Sequence, residues 1–332
     1  MAQHSEDRYG SIVGGHRPVS PGPIAVEPRA NPVFVEAVEA GGGVVEPLSP
    51  HTKGLVWLSE KLADELQAIL DAHPGIEWVQ LPWAGVDAFS TVLAGLAQRD
   101  EATRPVVTSA KGAYSEPVAE HALTLLLACL REIPQKARLG RWKEERSGLS
   151  LFGRHVVIIG AGGISHAIID LLEPFRTRIT VVRRDASQPV AGAERTITSR
   201  ELLEVLPDAD AVIVAAASTS DTAQLLAAAE FKVLPEHAVL VNIARGPLVD
   251  TDALVSALET GEIAAAGLDV TDPEPLPNGH PLFSLPQCVI TSHSADTPEM
   301  TAPLLAARVT HNVQAFLEGK PLRGVVSPER GY

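Results

Sequence analysis

The chain has 332 residues, more than one average domain, and its 45% hydrophobic and 20% charged residues are those of a folded globular protein rather than a disordered one. Lysine and arginine number 27 against 41 aspartates and glutamates, a formal net charge of -14 that disfavours nucleic acid and anionic membrane surfaces as partners. Two cysteines, Cys129 and Cys288, allow one disulfide but no framework; neither belongs to a CxxC pair, so no metal or redox site of that kind is expected. The start, MAQHSEDRYG, carries no apolar stretch behind a basic segment, and Val118 to Leu130 is too short and too polar to span a bilayer. The expectation is a cytoplasmic, reduced protein.

Residues 1 to about 22 read as a loose arm. Strands are predicted at PIAV (23–26), GLVWL (54–58) and within IEWVQ, the last running into a glycine turn at Gly85. Between them SEKLADELQAILDAH places Leu62, Leu66, Ile69 and Leu70 at helical spacing. This is a small α/β domain. SEPVAEHALTLLLACLREI then reads as one long helix, apolar nearly all round and therefore buried between domains or subunits. Beyond it, strand runs alternate with helices: HVVII (155–159), ITVV (179–182), AVIVAA (211–216), AVLVNI (238–243), AAAGLDV (264–270) and CVIT (288–291). These runs are continuously apolar, as in a parallel sheet covered on both faces. Gly261 caps the helix TDALVSALET, and a last helix from about Pro298 to Glu318 packs back on the first domain. The fold class is α/β, a doubly wound Rossmann-type parallel sheet domain plus a smaller flavodoxin-like α/β domain. The division is residues 1–111, completed by 297–332, for the smaller domain and 112–296 for the doubly wound one.

After HVVII comes Gly160-Ala161-Gly162-Gly163-Ile164-Ser165 and then a helix. Gly160 permits a tight turn, Gly162 lets backbone approach a pyrophosphate, and the N–H groups of Gly163 and Ile164 begin a helix whose positive end faces the anion. A lone G-x-G-x-x-G is weak, but here it stands between a strand and a helix. Ser165 replaces the third glycine and is small enough for close helix–strand packing. At the end of the second strand stand Arg183-Arg184-Asp185. An arginine at the first position pairs with a 2′-phosphate and favours NADP(H); NAD(H) is the alternative if Asp185 reaches the ribose.

Three further strand ends carry chemistry. Ile243 and Ala244 lead into Arg245; GLDVTDPEPL holds Asp269 and Glu274; VITSHSAD holds His293. Reduction of a 2-keto acid needs a fork of donors for the carboxylate, a proton donor for the carbonyl oxygen, and an anion to stabilise the imidazolium. Arg245, His293 and Glu274 fill these three roles. Each alone reads as an ordinary surface arginine, loop charge or hydrogen-bonded histidine; the combination at three strand ends behind a glycine motif does not. Trp83 and Trp142 suit either a substrate pocket or a core. His121, on the long helix, reads as structural or interfacial.

From about WVQLPWAGVD to the end, the chain resembles the D-isomer-specific 2-hydroxyacid dehydrogenases, the family that includes glyoxylate and hydroxypyruvate reductases. The resemblance lies in Arg245-Gly246-Pro247-Leu248-Val249-Asp250, in Asp269 through Pro275, and in the strand-end His293. It implies that Arg245 binds the substrate's carboxylate and carbonyl, and that His293 is the acid for reduction with Glu274 behind it. It also implies that Asp269 lies by the nicotinamide, that the backbone N–H groups of Ala84 and Gly85 hold the carboxylate, and that the protein is a homodimer. Ser292 stands where the family often has proline, Ser294 replaces a common apolar residue, and the loop 215–222 lacks the usual proline.

Other chemistries lack their residues. A tyrosine-based short-chain dehydrogenase needs lysine four positions after its tyrosine, and Val118 follows Tyr114 at that offset; neither HExxH nor GxxxxGK[ST] occurs. A formate- or phosphite-type oxidase of the same fold has no further signature here. A dinucleotide-sensing regulatory or protein-binding module with vestigial chemistry is the alternative reading.

Overall fold

A computed structural model of the chain describes residues 19–142 and 144–329. The described residues up to Tyr114, with those from Thr297 on, form one compact unit, and Ser115–Asp296 form a second. The arm expected over residues 1 to about 22 lies outside the described residues as far as residue 18; the next residues are irregular, with Val19 buried.

The first unit is built on a four-stranded sheet in the order β1-β2-β3-β4, with β1 Ile24–Glu27, β2 Gly54–Trp57, β3 Trp78–Gln80 and β4 Val106–Thr108, all parallel. Helices α1 (Pro32–Ala40), α2 (Ala63–Ala72) and α3 (Ser90–Ala97) connect them. Asn31 starts α1 by accepting a hydrogen bond from the N–H of Val33. Leu66 and Leu70 fix α2 on Leu55, Trp57 and Val79, each within 2% of full burial. A fully buried leucine of this kind contributes roughly 1.5–3 kcal/mol of transfer free energy. Within this unit, β4 has no counterpart among the expected strands: Val106 to Thr108 is too short to show a period.

The second unit begins with α4 (Ser115–Leu130), followed by the short α5 (Ile133–Ala137). The helix expected to run on to Ile133 stops at Leu130, and Glu132 takes φ 53°. It is not apolar all round: Glu116, Glu120 and Thr124 are exposed, while Val118, Ala122, Leu125 and Cys129 are buried within the unit. The seven-stranded sheet runs β11-β10-β9-β8-β5-β6-β7, all parallel. In chain order the elements are β5 (His155–Ile159), α6 (Gly163–Leu172), β6 (Arg178–Val182), β7 (Arg195–Ile197), α7 (Leu202–Val205) and β8 (Ala211–Val214). Then come α8 (Ala228–Val233), β9 (Val239–Asn242), α9 (Thr251–Thr260), β10 (Ala265–Leu268), α10 (Pro281–Ser284) and β11 (Cys288–Ile290). The strand order reverses between β5 and β8, which is the place where doubly wound sheets bind ligands. Strand β7 escapes sequence reading because it is an edge of three residues whose Arg195 is exposed.

Close packing sets α4 against this sheet. A Cβ on Gly267 in β10 would lie 2.9 Å from Cβ of Leu125, so glycine lets helix and strand meet at that point. Both thiols, Cys129 and Cys288, are free and buried.

Helix α11 (Pro298–Glu318) returns to the first unit and lies against α1, where Thr310 Oγ1 donates to the carbonyl of Ala37 at 2.9 Å. Its fully buried Arg308 donates to the carbonyls of Ser109 (2.9 Å) and Lys111 (3.1 Å). No helix among the described residues is long and apolar enough to cross a membrane.

Candidate active site

At the end of β5 the chain turns at Gly160 with φ +118°, a conformation that L side chains rarely adopt. A Cβ there would meet the carbonyl oxygen of Ala215 at 2.4 Å, because the chain leaves β8 immediately alongside. Gly162 starts α6 without a side-chain cap, and a Cβ on it would meet nothing within 4 Å. The N–H groups of Gly163 and Ile164 thus open the helix beside free space, with the positive end of the dipole behind them. That combination fits a pyrophosphate. Ser165 in the first turn is fully buried against the sheet, in the place where the motif usually has glycine.

Arg183 follows β6 and is half-buried, its N–H bonded to the carbonyl of Ile197 at 2.9 Å; Arg184 beside it is exposed. Asp185 turns back on its own loop, where Oδ1 accepts from the N–H of Ser187 at 2.9 Å. The Ser187 backbone and hydroxyl hold that carboxyl below its usual range.

The strand-end residues of β9, β10 and β11 come together within the second unit. Ile243 and Ala244 are buried, and Arg245 follows in extended backbone, its guanidinium donating to the carbonyl of Ala244 at 2.7 Å. Gly246 presses on the next strand-end loop so closely that a Cβ would fall 1.9 Å from the carbonyl oxygen of Thr271. That loop carries Glu274. His293, after β11, places Nδ1 at 2.6 Å from Oε1 of Glu274, with the two side chains 44% and 41% exposed. An ionised carboxylate only accepts, so Nδ1 carries a proton and Nε2 is left as the atom that exchanges one.

Two consecutive non-glycine residues, Ser292 (φ 51°) and His293 (φ 53°), are left-handed, which costs on the order of 1–2 kcal/mol each. Asp269 restrains them. Its carbonyl accepts the N–H of His293 at 2.6 Å, Oδ1 accepts from Thr291 Oγ1 (2.6 Å) and the Ser294 N–H (2.8 Å), and Oδ2 accepts from the Ala295 N–H (3.1 Å). The Asp269 side chain is 1% exposed. Burial alone would raise its carboxyl, but the bonds from His121, Thr291, Ser294 and Ala295 outweigh it and hold the group below the ordinary range.

Sequence reading missed three participants. His121 of α4 touches Thr291 Oγ1 at 2.8 Å and approaches Asp269 Oδ1 at 3.4 Å. Thr291 is the second. The third is Asp296, whose carboxyl is pushed up by burial and by Asp269, against the pull of His293 and Arg245. An acid three positions past the strand-end histidine was the available signal for it. Ala84 and Gly85 belong to the first unit, half-buried in the loop after β3. Trp83, in the same loop, meets Tyr114 edge-on with ring centroids 6.1 Å apart. Trp142 is 85% exposed, which removes the core placement from the two readings left open for it.

A dinucleotide turn at the reversal of a parallel sheet, with a histidine–carboxylate pair and an arginine at neighbouring strand ends, defines an oxidoreductase domain of the doubly wound class. Residues 123–295 match the family profile of the D-isomer specific 2-hydroxyacid dehydrogenase, NAD binding domain. The glyoxylate reductase of Pyrococcus furiosus is 36% identical over 237 residues, covering 67% of this chain and 69% of that protein. A D-isomer specific 2-hydroxyacid dehydrogenase of Xanthobacter autotrophicus Py2, solved with NADPH and MES, superimposes with a TM-score of 0.78 at 25% identity, covering 94% of this chain and 100% of the other. An NADPH-dependent glyoxylate/hydroxypyruvate reductase of Sinorhizobium meliloti, solved with citrate, gives 0.71 at 29% identity, covering 93% and 98%. The chain belongs to the D-isomer-specific 2-hydroxyacid dehydrogenases.

Proposed function

We propose that the chain reduces a small 2-keto acid, glyoxylate or hydroxypyruvate, to the D-2-hydroxy acid with NADPH. The observation that carries this reading is the 2.6 Å contact of His293 with Glu274, beside Arg245 and in the same unit as the Gly160 turn. When bound, the dinucleotide supplies the hydride to the carbonyl carbon. Gly160, Gly162, Gly163 and Ile164 would hold its pyrophosphate, Ile243, Ala244, Asp269 and His293 its nicotinamide end, and Arg183 with Arg184 the 2′-phosphate. The Arg245 guanidinium binds the keto acid's carboxylate in a planar fork. His293 gives the proton on Nε2 to the carbonyl oxygen, and Glu274 stabilises the imidazolium through Nδ1.

The choice of NADPH is supported by Arg183 at the end of β6 and by Asp185, whose Oδ1 is engaged with Ser187. The NADPH bound to the Xanthobacter relative points the same way. Residues 1–111, completed by 297–332, form the substrate domain in this reading, and residues 112–296 the cofactor domain. A cytoplasmic homodimer is part of the same reading: both thiols are free and buried, and Ile133, Leu139 and Trp142 present 53%, 43% and 85% of their surface.

The test is oxidation of NADPH and NADH, followed at 340 nm against a panel of 2-keto acids, with Arg183→Asp alongside and light scattering for mass. Turnover of glyoxylate or hydroxypyruvate, faster with NADPH and shifted towards NADH in the variant, is the expected result. Tight cofactor binding without consumption would favour the sensor reading instead.

A further inference from the structure

We propose that His121 is a positioning residue for His293, acting through Thr291 and Asp269; this rests on the assignment of His293 as the proton donor. In α4, His121 lies one turn before Leu125 on the same face. Leu125 sits over Gly267 of β10, which places His121 above the end of that strand, at Asp269. From there its Nε2 is 2.8 Å from Thr291 Oγ1 and 3.4 Å from Asp269 Oδ1.

The proton positions follow from the acceptors. Thr291 has one hydroxyl proton, and its 2.6 Å contact with the buried Asp269 carboxylate uses it. The hydroxyl therefore accepts from His121, and Nε2 carries a proton. The hydrogen-bonded chain runs from His121 through the Thr291 hydroxyl to Asp269, which also accepts from the N–H groups of His293, Ser294 and Ala295. Two left-handed residues, Ser292 and His293, lie inside this span and would relax towards ordinary backbone if it loosened. With His121 gone, the Thr291 hydroxyl is free to turn away, Asp269 loses a donor, and the imidazole of His293 is displaced from Glu274. Displacements of about 1 Å are enough to slow a proton or hydride step by about two orders of magnitude.

The experiment uses the full chain and four variants: His121→Phe, which keeps a ring but no donor; His121→Gln, whose amide restores an N–H at the same reach; Thr291→Val; and the double variant His121→Phe/Thr291→Val. Two readouts are taken. The first is the imidazole ¹⁵N spectrum, with His293 assigned from its loss in His293→Gln. The second is kcat and KM with NADPH and glyoxylate, with melting temperature as control. In His121→Phe the His293 signals should move and kcat should fall about 10- to 100-fold, with KM for NADPH held within about twofold. His121→Gln should return both towards wild type, and the double variant should lose no more than the worse single one, since the residues act as one chain.

Unmoved His293 signals in His121→Phe would overturn the proposal, as would equal losses in the Phe and Gln variants that follow their melting temperatures. If His121→Phe does not fold, Thr291→Val decides, and wild-type signals in it count against the chain. If the unmodified protein turns over no keto acid, the proposed function fails, while the ¹⁵N shifts still decide whether His121 positions His293.

Discussion

Nδ1 of His293 stands 2.6 Å from Oε1 of Glu274, joining the loop after β11 to the loop after β10 across 19 residues of sequence. The contact fixes which ring nitrogen is held and which one works. His293→Gln should therefore cut reduction by about 10²- to 10⁴-fold with NADPH affinity unchanged. Glu274→Gln should also lower kcat, because the ring loses its anionic partner. Stopped-flow turnover with fluorescence titration of NADPH checks both, and wild-type kcat in either variant would remove that residue from the reaction.

Gly160 is the position at which the dinucleotide turn is most exposed to a single methyl group. Its φ of +118° and the 2.4 Å approach to the Ala215 carbonyl leave no room for a Cβ. Gly160→Ala should lose NADPH binding and about 1–3 kcal/mol of stability. Gly162→Ala meets no protein atom within 4 Å, so it should fold normally and lose cofactor affinity alone. Titration calorimetry and thermal melts separate the two, and equal behaviour would argue against a bound pyrophosphate.

Asp269 and Asp296 should respond to pH in opposite senses. Asp269 is held below the usual range, so the stability it contributes is present above the unfolded carboxylate pKa and is lost as pH falls through the folded one. Asp296 is pushed up, mainly by burial, so its contribution is complete below the unfolded value and is lost as pH rises through the folded one. At pH 7 Asp269→Asn should lower the melting temperature and Asp296→Asn should raise it. Towards acid both differences should shrink: the Asp296 penalty disappears as its carboxyl protonates, and the Asp269 contribution is lost as pH falls through its lowered folded value. A lower melting temperature for Asp296→Asn at pH 7 would show that its carboxylate is instead engaged in stabilising bonds.

Burial pushes the thiols of Cys129 and Cys288 up to about 12. The native protein should therefore resist a disulfide reagent at pH 8 and react at both sites only in denaturant. Rapid modification of either thiol in the native state would contradict their buried placement in α4 and β11.

The amino-acid sequence by itself determined the strands of the larger sheet, because Val156 to Ile159, Val212 to Val214 and Val239 to Val241 are buried on both faces and must be apolar at every position. It determined the helix stops as well, where chain chemistry acts locally: Asp250 caps α9 through the N–H of Ala253, and Gly261 closes it at φ +77°. Arg245, Glu274 and His293 were legible because strand ends are where such sheets place chemistry. Edge strands β4 and β7 were not legible, since three residues carry no period. Nor was the support of the site. His121 and Thr291 are 170 residues apart, and nothing near either one announces the other. Only the tertiary structure, by laying Leu125 of α4 on the bare backbone of Gly267, brings that histidine over Asp269, because a contact between distant segments depends on packing rather than on any local pattern.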